Sequence, residues 1–179
     1  MPYSTFSKIR DILTEVDQGG EATVGELAER IRSSWPDKAG SFTWFRRAGG
    51  EPPSEIEPCS LDSIRRNIRF AERLGLLSSQ DGVYRLTDDG RNAVRGDYAG
   101  QVGTLVNGIL ADRGFSLRQV NLVISQLPGG EVPDWQTIWK HRPRECLLEQ
   151  EEFRKLLYLS GRSGNIDLGM RLVYGVPGR

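Results

Sequence analysis

The chain has 179 residues, 37% hydrophobic and 27% charged, with 24 basic and 24 acidic side chains. That length accommodates one large domain or two small ones with cores of their own, and the charge balance excludes a polyelectrolyte that clings to phosphate without local patches. No run approaches the ~18 apolar residues of a membrane span, and residues 1–13 lack the apolar core of a signal peptide, so a cytoplasmic protein away from membranes is expected.

In chain order, Phe6, Ile9, Ile12, Leu13 and Val16 are spaced for an amphipathic helix that stops at Gly19 and Gly20. Thr23 and Glu26 form a capping box for a second helix carrying Val24, Leu27, Ala28 and Ile31. Residues 34–59 then form a long loop in which Trp35, Lys38, Trp44, Phe45, Arg46 and Arg47 precede an acidic, proline-rich half. Long loops inside compact domains are often functional. Trp44, Arg46 and Arg47 read either as an arm reaching nucleic acid or as a loop packed on the core.

Residues 61–77 wind as a helix with Leu61, Ile64, Ile68, Ala71 and Leu74 on one side. Arg65, Arg66, Arg69 and Arg73 fall opposite, within an arc of roughly 100°. Ser60 is the expected N-cap and Gly75 the left-handed terminator. Residues 76–80 and 83–86 flank Asp81 and Gly82, a pair suited to a type I′ hairpin turn, and Thr87 caps the next helix with Asp88 and Asp89 in its first turn.

Helix, "LGLL", short hairpin and "YRLTDDGRNAV" resemble the recognition helix, wing and following helix of winged-helix DNA-binding domains, over about residues 5–96. The resemblance implies double-stranded DNA as partner, with the helix in the major groove and the hairpin tip on the backbone or minor groove. Ser63, Arg65, Arg66, Arg69 and Arg73 then take the helix role, and Gln80 and Arg85 the wing role. A solvated helix face is the plainer account of the same arginines.

After Gly96 the pattern restarts. Val102, Leu105, Val106, Ile109 and Leu110 mark a helical face ending at Gly114, and Ser116 with Gln119 caps another helix. Asp134 is placed to cap a short helix holding Trp135, Ile138 and Trp139, and Pro143 to open a longer one running to about residue 160. Residues 166–174 alternate with period two and read as a half-buried strand. The expected fold is therefore mainly α with small β hairpins (α+β), as two winged-helix-like subdomains in tandem, residues 1–96 and 97–179. In the second, Lys140, Arg142, Arg144 and Arg162 are candidate phosphate contacts, against a reading as a solvated helix junction.

No phosphate loop, dinucleotide fingerprint or nucleophile pair is present, and Cys59, Cys146 and His141 cannot assemble a structural zinc site. Pro133 and Asp134 with Glu151, Glu152 and Lys155 resemble a nuclease metal motif in composition, but the spacing and the helical context are wrong. No catalytic centre, metal or cofactor is expected in this chain. Tandem winged-helix units without a catalytic centre are similar to the target-recognition regions of type IIS restriction endonucleases, in which a separate domain cuts. The same parts serve a homodimeric transcription regulator. Tandem winged-helix subunits of chromosome-organising complexes instead bind proteins, and the near-zero net charge suits them.

Overall fold

The structure, a computed structural model, describes residues 5–33, 60–126 and 135–163. The protein is mainly helical with a small three-stranded antiparallel sheet, and the chain divides into two compact units, Met1–Gly96 and Asp97–Arg179. The loop 34–59 with Trp44, Arg46 and Arg47, the expected cap Asp134 and the expected strand 166–174 lie outside the described residues.

In the first unit, α1 (Thr5–Gly19) buries Ile9, Ile12, Leu13 and Val16, and Gly20 ends it at φ 74°. A two-residue strand, β1 (Ala22–Thr23), leads into α2 (Val24–Ser33). The capping box forms: the Thr23 amide donates to Glu26 Oε2 at 2.9 Å, and the Glu26 amide donates to Thr23 Oγ1 at 3.3 Å. The bond from the Thr23 backbone foremost, and then one from the Thr23 hydroxyl to the same Oε2 at 2.8 Å, hold the Glu26 carboxyl below its ordinary 4.5.

The arginine-bearing helix is α3 (Leu61–Arg73), and it packs on both α1 and α2 through Ile64, Ile68 and Ala71. Ser60 caps it by accepting from the Ser63 amide, and Gly75 at φ 74° closes its end. There the Gly75 amide donates to Glu72 O and the Leu76 amide to Ala71 O, which satisfies carbonyls a helix end would otherwise orphan. Leu76 and Leu77 are then driven into the core.

The hairpin follows as β2 (Leu77–Gln80) and β3 (Val83–Leu86), with Gln80 opposite Val83 and Leu77 opposite Leu86. Asp81 and Gly82 both have positive φ, 52° and 77°, as a type I′ turn requires. β3 is the central strand, because β1 pairs with its other edge, Ala22 opposite Tyr84. Sequence periodicity does not reveal β1, since two residues carry no period and their partner lies some sixty positions away.

The hairpin returns into α4 (Asp88–Arg95). Thr87 Oγ1 accepts from the Gly90 amide at 3.0 Å and donates to Gly75 O at 2.6 Å, so one hydroxyl caps α4 and fastens it to the end of α3. Arg95 pairs with Asp17 of α1 at 2.8 Å, closing the unit on its first helix.

The second unit contains α5 (Tyr98–Asp112), α6 (Leu117–Gln126), α7 (Trp135–Lys140) and α8 (Gln150–Arg162). Asp97 caps α5, and Ser116 and Gln119 form the second capping box. Phe115 and Phe153 are fully buried and stack with ring centroids 5.1 Å apart, and the half-buried Trp139 lies against Phe153 with centroids 5.2 Å apart.

One helix boundary departs from expectation. Pro143 does not open α8, which starts at Gln150. Residues 143–149 are held otherwise: the Cys146 amide donates to Pro143 O, the Leu147 amide donates to Arg113 O at 3.0 Å, and Leu148 is buried. A long-range bond to the end of α5, together with the burial of Leu148, outweighs the local preference for proline in a first helical turn.

Candidate nucleic-acid interface

The polar side of α3 carries the largest concentration of the expected residues. Arg65, Arg66, Arg69 and Arg73 are all exposed, opposite the buried Ile64, Ile68 and Ala71. Arg65 lies 3.5 Å from Asp62 in a pair open to solvent on both sides. Such pairs contribute about 0–1 kcal/mol and are readily exchanged for another anion. Among the described residues, no carboxylate lies within 4 Å of Arg66, Arg69 or Arg73.

Ser63 is not part of this stripe. It is half-buried and accepts from Lys8 Nζ of α1 at 3.3 Å, so its hydroxyl is engaged toward α1. Lys8 thereby sits beside the first turn of α3, a position that nothing local in the sequence indicates. Phe70 is buried although it flanks the arginines on the helical wheel, and it marks the boundary where the cationic face meets the core.

The hairpin presents Gln80 and Arg85, both exposed, with the Arg85 guanidinium donating to Gln80 Oε1. Glu72 of α3 joins helix to hairpin: Ser79 Oγ donates to its Oε1 at 2.5 Å and the Tyr84 hydroxyl to its Oε2 at 3.3 Å. Burial, and then the neighbouring Glu72 charge, push the Tyr84 hydroxyl above its ordinary 10.0, with Arg69 acting in the opposite direction. A raised folded-state pKa contributes stability that is complete below the unfolded value of 10.0 and is lost as pH rises through the raised one. Stability against urea should therefore fall between neutral pH and about pH 11, and Tyr84→Phe should flatten that decline. An identical alkaline slope in the variant would remove Tyr84 as its source.

In the second unit the expected residues are scattered. Lys140 ends α7, and Arg142 stacks on Trp139, its guanidinium carbon 4.2 Å from the ring centroid, while donating to Trp139 O at 3.0 Å. Arg144 is exposed in the segment before α8, and Arg162 lies in its last turn. A 13-residue helix is about 20 Å long, so Arg162 stands about that far along α8 from Gln150 at its start. Residues 156–160 of α8 are all buried. Five consecutive helical residues point in every direction, so residues 156–160 of α8 have no open face to offer a groove. Leu122 and Leu147 are instead the exposed large hydrophobics, at 55% and 70%.

Among the described residues, no three His, Cys, Asp or Glu side chains cluster as metal ligands, and no helix is long and apolar enough to cross a membrane. No family model matches the chain, and no curated protein or solved structure matches it either.

Proposed function

We propose that residues 1–96 form a winged-helix unit that binds double-stranded DNA sequence-specifically, with α3 in the major groove and the hairpin tip against the backbone or minor groove. The observation that carries this reading is the exposed row Arg66, Arg69 and Arg73, which has no carboxylate within 4 Å among the described residues although the chain as a whole is neutral. A merely soluble surface intersperses both signs. Guanidinium forks suit guanine edges and phosphates, and the hairpin carrying Arg85 is fastened to the same helix.

Residues 97–179 act in the same recognition event as a divergent second unit. Two unlike units in one chain suit an asymmetric site, the pattern of a restriction-type recognition module whose cutting domain is separate. Selection of bound duplexes from a randomised pool, followed by sequencing, tests this. An enriched asymmetric motif is expected. A palindrome would point to a dimeric regulator, and a pool without enrichment would end the sequence-specific reading.

A second reading, protein docking by residues 97–179, is favoured by the exposed Leu122 and Leu147. The full chain carrying Lys140→Ala, Arg142→Ala and Arg144→Ala separates the two. If this unit touches DNA, the log–log salt slope should fall by about 0.9 for each phosphate that these side chains no longer neutralise. An unchanged slope removes these three side chains as phosphate contacts and leaves protein docking as the better reading of the unit.

A further inference from the structure

On α3, Glu72 stands three residues beyond Arg69, the spacing at which a carboxylate and a guanidinium pair on a helix surface. On the helical wheel it is also a near neighbour of Arg65. That spacing lets Glu72 pair with Arg69 within its own helix. No such ion pair forms. Both carboxylate oxygens are occupied by the hairpin instead, Oε1 by Ser79 of β2 and Oε2 by Tyr84 of β3. The two donors come from opposite sides of the Asp81 and Gly82 turn, so the contact holds both strands of the hairpin to α3 at once.

We infer that Glu72 is a positioning residue of the cationic face: by engaging Ser79 and Tyr84 it sets the hairpin on α3, and it is thereby withheld from Arg69, whose charge stays available to a phosphate. The inference rests on the DNA-binding reading for its ligand, whereas the withholding of Glu72 is a property of the protein alone. Its chemistry is an exchange of partners. A carboxylate with two good neutral donors has less to gain from an exposed guanidinium, whose attraction is screened by water and salt. Removing the donors returns the carboxylate to the helix surface, where Arg69 is the nearest cation in register.

The full chain with Ser79→Ala and Tyr84→Phe loses both donors while keeping the Tyr84 ring in the core. Its affinity for the duplex selected by the wild-type chain should fall roughly fivefold at about 150 mM salt, with a salt slope smaller by about 0.9, as Glu72 takes Arg69 from one phosphate. Adding Glu72→Gln to that double variant removes the competing charge and should restore the slope, although it restores none of the missing hydrogen bonds. A purely structural contact gives the opposite order, with the triple variant no better than the double. That result overturns the inference, as does a double variant with wild-type slope.

The Arg69 Nε–H resonance of the DNA-free protein gives an independent readout. It should move in the double variant and return in the triple. If the wild-type chain binds no duplex, the DNA-binding reading fails on its own. The resonance then still decides the withholding of Glu72, since an unmoved Arg69 signal in the double variant overturns it.

Discussion

Replacing Gly90 with alanine is expected to cost about 3 kcal/mol or more, a large fraction of the 5–15 kcal/mol that holds a typical domain together. An added Cβ would overlap the Leu76 carbonyl oxygen and lie 3.1 Å from both the Leu76 carbonyl carbon and Leu86 Cδ2. The oxygen cannot turn aside, because it belongs to the backbone and accepts from the Thr87 amide at 3.2 Å. The glycine of "LTDDG" is therefore a point of close approach, where α4 rests against the end of α3. Gly108 of α5, with nothing within 4 Å of an added Cβ, gives the opposite sign: Gly108→Ala should stabilise by about 0.5–1 kcal/mol. Denaturant unfolding followed by circular dichroism measures both. A Gly90→Ala midpoint equal to wild type would show that α4 does not sit this close to Leu76.

The second large effect concerns binding. Arg65→Ala, Arg66→Ala and Arg69→Ala together should reduce affinity for the selected duplex by about 1–3 kcal/mol for each base-reading arginine, at least tenfold in total, and relax specificity at the positions they read. Alanine is the best helix former, all three side chains are exposed, and only Arg65 has an ion-pair partner among them, so α3 itself should persist. Thermal unfolding of the variant checks that directly. Wild-type affinity in a folded triple variant would remove α3 as the reading helix and leave protein docking as the better account of the chain.

Ser63 belongs to neither experiment, and the reason bears on how much of the site can be read from residues alone. The arginine arc follows from 100° per residue and needs no coordinates. What each residue beside the arc does depends on its neighbours. Lys8 turns Ser63 toward α1, Phe70 is drawn into the core, and the hairpin claims Glu72. Neither Lys8 nor the hairpin donors Ser79 and Tyr84 lie within one helical turn of the residue they engage.

The same division runs through the fold. The sequence by itself determined the signals whose partners are close along the chain: the boxes Thr23 with Glu26 and Ser116 with Gln119, the caps Ser60 and Thr87, the helix-ending glycines Gly20, Gly75 and Gly114, and the Asp81 and Gly82 turn. Each satisfies an orphaned backbone group or relieves a steric limit within about four residues, so residue type and spacing suffice. Only the tertiary structure decided the pairing of β1 with β3, the start of α8 and the engagement of Glu72 by the hairpin. In each of these a residue chooses between a local partner and one brought near by folding. The choice depends on burial and on hydrogen bonds that form only once distant segments have met.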